Sequence, residues 1–90
     1  MSYEFRWIAW NTEKCERHGV DPAEAQEIVN GARAPYPRRI DRGKTLVRGQ
    51  TASGRYLQVI YLLERNDVVF VIHARPLTET EKRQLRRNRR

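Results

Sequence analysis

The sequence predicts an α+β fold: two short helices, a four-stranded antiparallel meander, and a basic helix at the C-terminus. Three observations carry this. Helix-capping signals and thin apolar stripes fill the first third. Apolar runs separated by short turn signals fill the middle. After Pro76, Thr78-Glu79-Thr80-Glu81 forms a capping box that opens a strongly basic segment.

Tyr3, Phe5 and Trp7 alternate with Glu4 and Arg6, the period of a short N-terminal strand. Asn11 can cap a first helix through about His18, with Gly19 closing it in the left-handed conformation. Asp21-Pro22-Ala23-Glu24 starts the second. Asp21 caps, Pro22 suits the first helical position, and Glu24 reaches back to complete a capping box. Ala25, Ile28 and Val29 share one face, and Asn30-Gly31 ends the helix. Ala34-Pro35-Tyr36-Pro37 is a stiff extended entry to the sheet. The four strands are expected at residues 38–40, 44–50, 55–64 and 68–75. Asp41-Arg42-Gly43, Ser53-Gly54 and Arg65-Asn66-Asp67 are the turns. The last two strands are almost continuously apolar, so both faces should be covered over part of their length. Trp7 and Trp10 are expected in the core where helix meets sheet, and Glu64 at a solvated hairpin end.

Ninety residues allow one domain, spanning 1–90, with a small core. The longest uninterrupted apolar run, residues 68–72, is too short to cross a membrane, and the first ten residues lack the apolar stretch of a signal peptide. One cysteine, Cys15, excludes an internal disulfide and fits a reduced, cytoplasmic setting. Cys15-x-x-His18 is half of a metal pair, and only one further His exists, so zinc is rejected. No phosphate-cradling glycine loop, Ser-centred elbow or usefully spaced carboxylate pair is present.

The net charge of +7 is unevenly placed. Residues 1–31 hold three basic and six acidic side chains, whereas residues 32–56 hold seven basic against Asp41. Residues 75–90 hold seven basic against Glu79 and Glu81. A fold that joins the two basic stretches makes one surface for a polyphosphate backbone. Otherwise Arg86, Arg87, Arg89 and Arg90 form a solvated, frayed tail.

Several motifs, in order from about Trp7 to Arg83, resemble a known family. They are Arg17-His18-Gly19-Val20, Asp21-Pro22-Ala23-Glu24-Ala25 and Val47-Arg48-Gly49-Gln50-Thr51 with Gly54-Arg55. Gln58-Val59-Ile60-Tyr61, Ile72-His73-Ala74-Arg75 and the segment from Leu77-Thr78 to Glu81-Lys82-Arg83 follow. The set resembles the BrnT-like toxins, ribonucleases of type II toxin–antitoxin pairs with a RelE-like fold. Two departures stand out. Trp7 is followed by Ile8 where the family usually has Asp, and Leu85 stands where many members have a Tyr in the final helix. The resemblance implies cleavage of RNA and a ribbon-helix-helix antitoxin that covers the basic face. Operator DNA would be bound only through that complex, and no cofactor is implied.

Metal-free RNA cleavage needs attack by a 2′-hydroxyl on the adjacent phosphate, two proton transfers, and cations on the phosphoryl oxygens. Arginine suits the last task and histidine the transfers. Strict alternation puts Val69, Val71, His73 and Arg75 on one strand face, and Lys44, Leu46, Arg48 and Gln50 on one face of another. Arg48 and Arg75 are therefore the candidates for the scissile phosphate and His73 for acid or base. Lys44, Arg55, Lys82, Arg83 and Tyr36 are candidates to grip flanking RNA. Each has a plainer reading. His73 is a half-buried strand residue bonded to a neighbour, and Arg75 is paired with Glu79 or Glu81. His18 is a cation at a helix C-terminus, and Tyr36 and Tyr56 are packed in core or turn. A non-catalytic module that binds RNA or an acidic partner, or a structural partner that only docks an antitoxin, would need the charge without the cluster.

Overall fold

The computed structural model describes residues 3–88 as three helices and one five-stranded mixed sheet. The elements are β1 (Glu4–Phe5), α1 (Ala9–Arg17), α2 (Pro22–Asn30), β2 (Arg38–Arg39), β3 (Lys44–Gln50), β4 (Tyr56–Leu63), β5 (Val68–Pro76) and α3 (Glu79–Asn88). Single 3₁₀ turns, Asp41–Gly43 and Arg65–Asp67, connect β2 to β3 and β4 to β5. The strand order is β1-β5-β4-β3-β2. The antiparallel meander expected from the sequence is present as β2 to β5. The fifth strand is the addition: β1 pairs parallel with β5 through Glu4–Val68 and Phe5–Val69. Arg86 and Arg87 lie within α3, and the expected fraying of Arg89 and Arg90 falls outside the described residues.

Helix ends follow local chemistry. Glu24 Oε1 accepts the Asp21 N–H at 3.1 Å, the reach-back half of the box expected there. Gly19 has φ +75°, the left-handed turn that a side chain would strain. Asn11 acts differently from expectation. It stands in the third position of α1, fully buried, and caps from within. Its Oδ1 accepts the Ile8 N–H at 2.8 Å and its amide donates to the Arg6 carbonyl at 3.1 Å. Asn11→Ala leaves both of these part-buried backbone groups without their partner and empties a fully buried position, and should cost about 1–3 kcal/mol in denaturant unfolding.

The sheet has two unlike faces. Paired residues point the same way, so Val47, Val59 and Ala74 form one buried row, with Leu57, Val69 and Val71 on the same side. Ala25, Ile28 and Val29 of α2 and Cys15 of α1 are buried with them in one cluster. The opposite face carries Lys44, Leu46 and Arg48 of β3, Gln58, Ile60 and Leu62 of β4, and Phe70, His73 and Arg75 of β5. That side is covered at one end by α3, whose Leu85 is 2% exposed.

Strict alternation along β5 does not hold. Ile60 and Tyr61 are consecutive on β4, yet they pair with His73 and Val71, so Ile72 is an extra residue in a bulge. The bulge breaks the expected set of Val69, Val71, His73 and Arg75. Val69 and Val71 turn to the core side, while Phe70 joins His73 and Arg75 on the other.

Candidate active site

Arg48, Gln58 and Arg75 form one row across three strands, because Arg48 pairs with Gln58 and Gln58 with Arg75. The Gln58 carbonyl oxygen accepts from Arg48 Nε at 2.9 Å and from Arg75 Nη2 at 3.3 Å. The amide thus pins two like charges side by side. What makes this tolerable is Glu81, delivered by the first turn of α3. Arg75 holds it with both terminal nitrogens, at 2.8 and 2.9 Å, and Arg48 Nη2 reaches the same carboxylate at 3.1 Å. Glu81 is also half of the expected capping box: its Oε1 accepts the Thr78 N–H at 2.8 Å, and Thr78 Oγ1 accepts the Glu81 N–H at 3.2 Å. These bonds, the Arg75 guanidinium first, hold its carboxyl at about 2, well below the usual range. The Arg75 guanidinium is correspondingly pushed up by Glu81. The ion pair with Glu81 considered for Arg75 is therefore formed, and it is formed without separating Arg75 from Arg48.

His73 lies two residues before Arg75 on the same face, half-buried. Its ring meets the edge of His18, with centroids 5.7 Å apart and planes at 61°. His73 is pushed down by burial first, then by Arg75, His18 and Lys14; none of these influences is a hydrogen bond. Trp10, Lys14 and His18 recur every four residues along α1 and continue past its end. Trp10 stacks on Phe70 at 6.1 Å, and Lys14 sits 4.7 Å from the Trp10 ring centre. Trp10 is thus half-exposed at the rim of this face rather than in the core. Trp7 packs against the core as expected, with its indole N–H donating to Gln26 at 2.7 Å. No motif signalled the approach of His18 to His73; it follows from α1 lying against β5.

The other candidates divide. Lys44 shares the face of the arginine row, in a row with Leu62 and Phe70. Lys82 pairs with Glu79 at 3.1 Å, and both Lys82 and Arg86 lie over Tyr56, at 5.8 and 5.7 Å from the ring centre. Arg83 is exposed, with one bond of 3.4 Å to Thr80. Arg55 does not join the arginine row. It holds Glu24 at 2.8 Å through both carboxylate oxygens and the Gly19 carbonyl at 3.0 Å, and so ties the start of β4 to α2. Tyr36 belongs to the buried cluster at 7% exposure, with Arg38 5.5 Å from its ring centre, so its packed reading holds and its candidate role of gripping RNA does not. Glu64 is gripped by Arg6 at 2.7 and 2.9 Å rather than simply solvated. Cys15 is fully buried, and burial pushes its thiol up to about 11. Among the described residues, no three His, Cys, Asp or Glu side chains stand together as metal ligands, and no helix is long and apolar enough to cross a membrane.

Comparison with protein-family models, with curated proteins and with solved structures returned no match.

Proposed function

We propose that this protein is a metal-independent endoribonuclease of the BrnT-like, RelE-like toxin type. It cleaves RNA by 2′-hydroxyl attack on the adjacent phosphate and is silenced in the cytoplasm by a ribbon-helix-helix antitoxin over its basic face. The observation that carries the reading is the row Arg48–Gln58–Arg75. Two guanidinium groups converge on one oxyanion, the Glu81 carboxylate, from the same face that holds His73. A guanidinium fork that grips a carboxylate through two nitrogens has the shape to grip two phosphoryl oxygens. Charge that develops on those oxygens during attack would meet both arginines.

One observation favours the second reading, a non-catalytic binder of RNA or of an acidic partner: Glu81 already fills the fork. A binder needs only the surrounding charge of Lys44, Lys82, Arg83 and Arg86.

Digestion of RNA in EDTA separates the two. The wild-type chain should cut, leaving 2′,3′-cyclic phosphate and 5′-hydroxyl ends. A variant combining Arg48→Ala, His73→Ala and Arg75→Ala should lose at least about 10²-fold in rate, with circular dichroism checking that it is folded. RNA that is bound in a salt-dependent way but never cut supports the binder. Undiminished cutting by the triple variant overturns the site.

A further inference from the structure

The rim between α1 and β5 joins two imidazoles that the sequence keeps far apart. His18 ends α1 where the helix stops at Gly19, and its exposed ring leans on that of His73. Resting on the ribonuclease reading above, we propose that His18 and His73 are the proton-transfer pair of the cleavage step, His73 as base and His18 as acid.

The environments of the two rings set the roles. His73 is half-buried on the strand, with Arg75 on its own element and Lys14 and His18 facing it from α1. Burial beside cations favours the neutral imidazole, the form that accepts a proton. His18 is exposed at the end of α1, open to the departing 5′-oxygen and to the water that returns its proton. Arg75 follows His73 by two residues on the same face, so the phosphate held by the fork lies beside the base. Ring centres 5.7 Å apart can address two oxygens of one phosphodiester.

The step balances without any further reactant. The 2′-oxygen forms a bond to phosphorus and its proton passes to His73. The bond from phosphorus to the 5′-oxygen breaks, and that oxygen takes the proton of His18. The products are a 2′,3′-cyclic phosphate and a 5′-hydroxyl. The pair resets by exchanging protons with water.

A substrate whose leaving 5′-oxygen is replaced by sulfur provides the test, because a thiolate departs without being protonated. In EDTA, His73→Ala should slow cleavage of both the ordinary and the sulfur-substituted RNA by about 10²–10⁴-fold. His18→Ala should slow ordinary RNA by a similar factor and recover most of that rate on the sulfur-substituted bond. It should melt close to wild type, since its ring is exposed. His18→Gln guards against a loss of packing and should behave as His18→Ala does. If His18→Ala cuts ordinary RNA as wild type does, or stays slow on the sulfur-substituted bond, the pair is overturned and the nuclease reading stands. If the wild-type chain cuts neither RNA, the nuclease reading falls and takes the pair with it.

Discussion

Glu81→Gln should lower stability by about 3 kcal/mol at pH 7 and by almost nothing near pH 2. The size follows from linkage: a carboxyl held at about 2 instead of its ordinary 4.5 gives the folded state roughly that much at neutral pH. The sign follows from the direction. A depressed carboxyl stabilises above the pKa of the unfolded chain, and the contribution disappears as pH falls from about 4.5 towards 2. Little is lost to solvent screening, because the Glu81 side chain is 16% exposed and its partner on Arg48 18%. Glutamine keeps an oxygen for the Thr78 N–H, so the substitution isolates the charge from the cap. What remains is two guanidinium groups abreast, joined only by Gln58. Thermal melts of both chains between pH 2 and 7 check this. The gap in midpoint should open to about 10–20 °C at neutral pH and close in acid; parallel curves would contradict it. On the nuclease reading the same variant binds RNA more tightly, because the internal anion no longer occupies the fork. Stability and affinity therefore move in opposite directions.

Most of the architecture was legible because it is written locally. The β3 boundaries, the turns after β2 and β4, and the capping boxes at Asp21 and Thr78 depend on residues within a few positions of one another. Apart from the start of α1, which lies at Ile8 and not at Asn11, the errors are non-local. The parallel pairing of β1 with β5 has no signature in Glu4-Phe5 beyond a strand's alternation. The bulge at Ile72 was hidden because residues 68–72 are all apolar, so a slip by one residue leaves the hydrophobic pattern unchanged. His73 and Arg75 keep their shared side because both follow the slip, whereas the expected alignment with Val69 and Val71 is lost. The site was half legible. Arg48 and Arg75 were legible as candidates, but their convergence depends on the hidden bulge: unbroken pairing from Leu63–Val69 would set Ala74, not Arg75, opposite Gln58. Glu81 was read only as a cap or as one of two possible partners for Arg75. A capping-box Glu must point back past the start of its helix. Here that start follows directly on the end of β5, so the cap and the clamp are one side chain. Nothing comparable announces His18, Tyr36 or Arg55, whose surroundings depend on the seating of helices against the sheet.

Leu85→Ala tests whether α3 holds the arginine row as a unit. Leu85 is the one described residue of α3 that is buried; the rest of the helix is charged or polar. Truncating a buried leucine costs about 2–5 kcal/mol, depending on how far the site collapses. With the apolar anchor gone, Glu81 must hold the helix through its bonds to Arg48 and Arg75 alone. Hydrogen exchange should then quicken across the α3 amides while α2 stays protected, since α2 is anchored by three buried residues, Ala25, Ile28 and Val29, where α3 has Leu85. The double variant Leu85→Ala/Glu81→Gln should cost less than the two single changes added together, by about 0.5–3 kcal/mol. Once either attachment is cut, the other has less ordered helix left to secure. Additive effects would mean that Leu85 and Glu81 stabilise the fold independently, and that α3 can loosen without uncovering the guanidinium pair. Leu85→Tyr adds a hydroxyl and volume to a site that is 2% exposed. It should be destabilising by about 1–3 kcal/mol, because the position packs the helix down against the core.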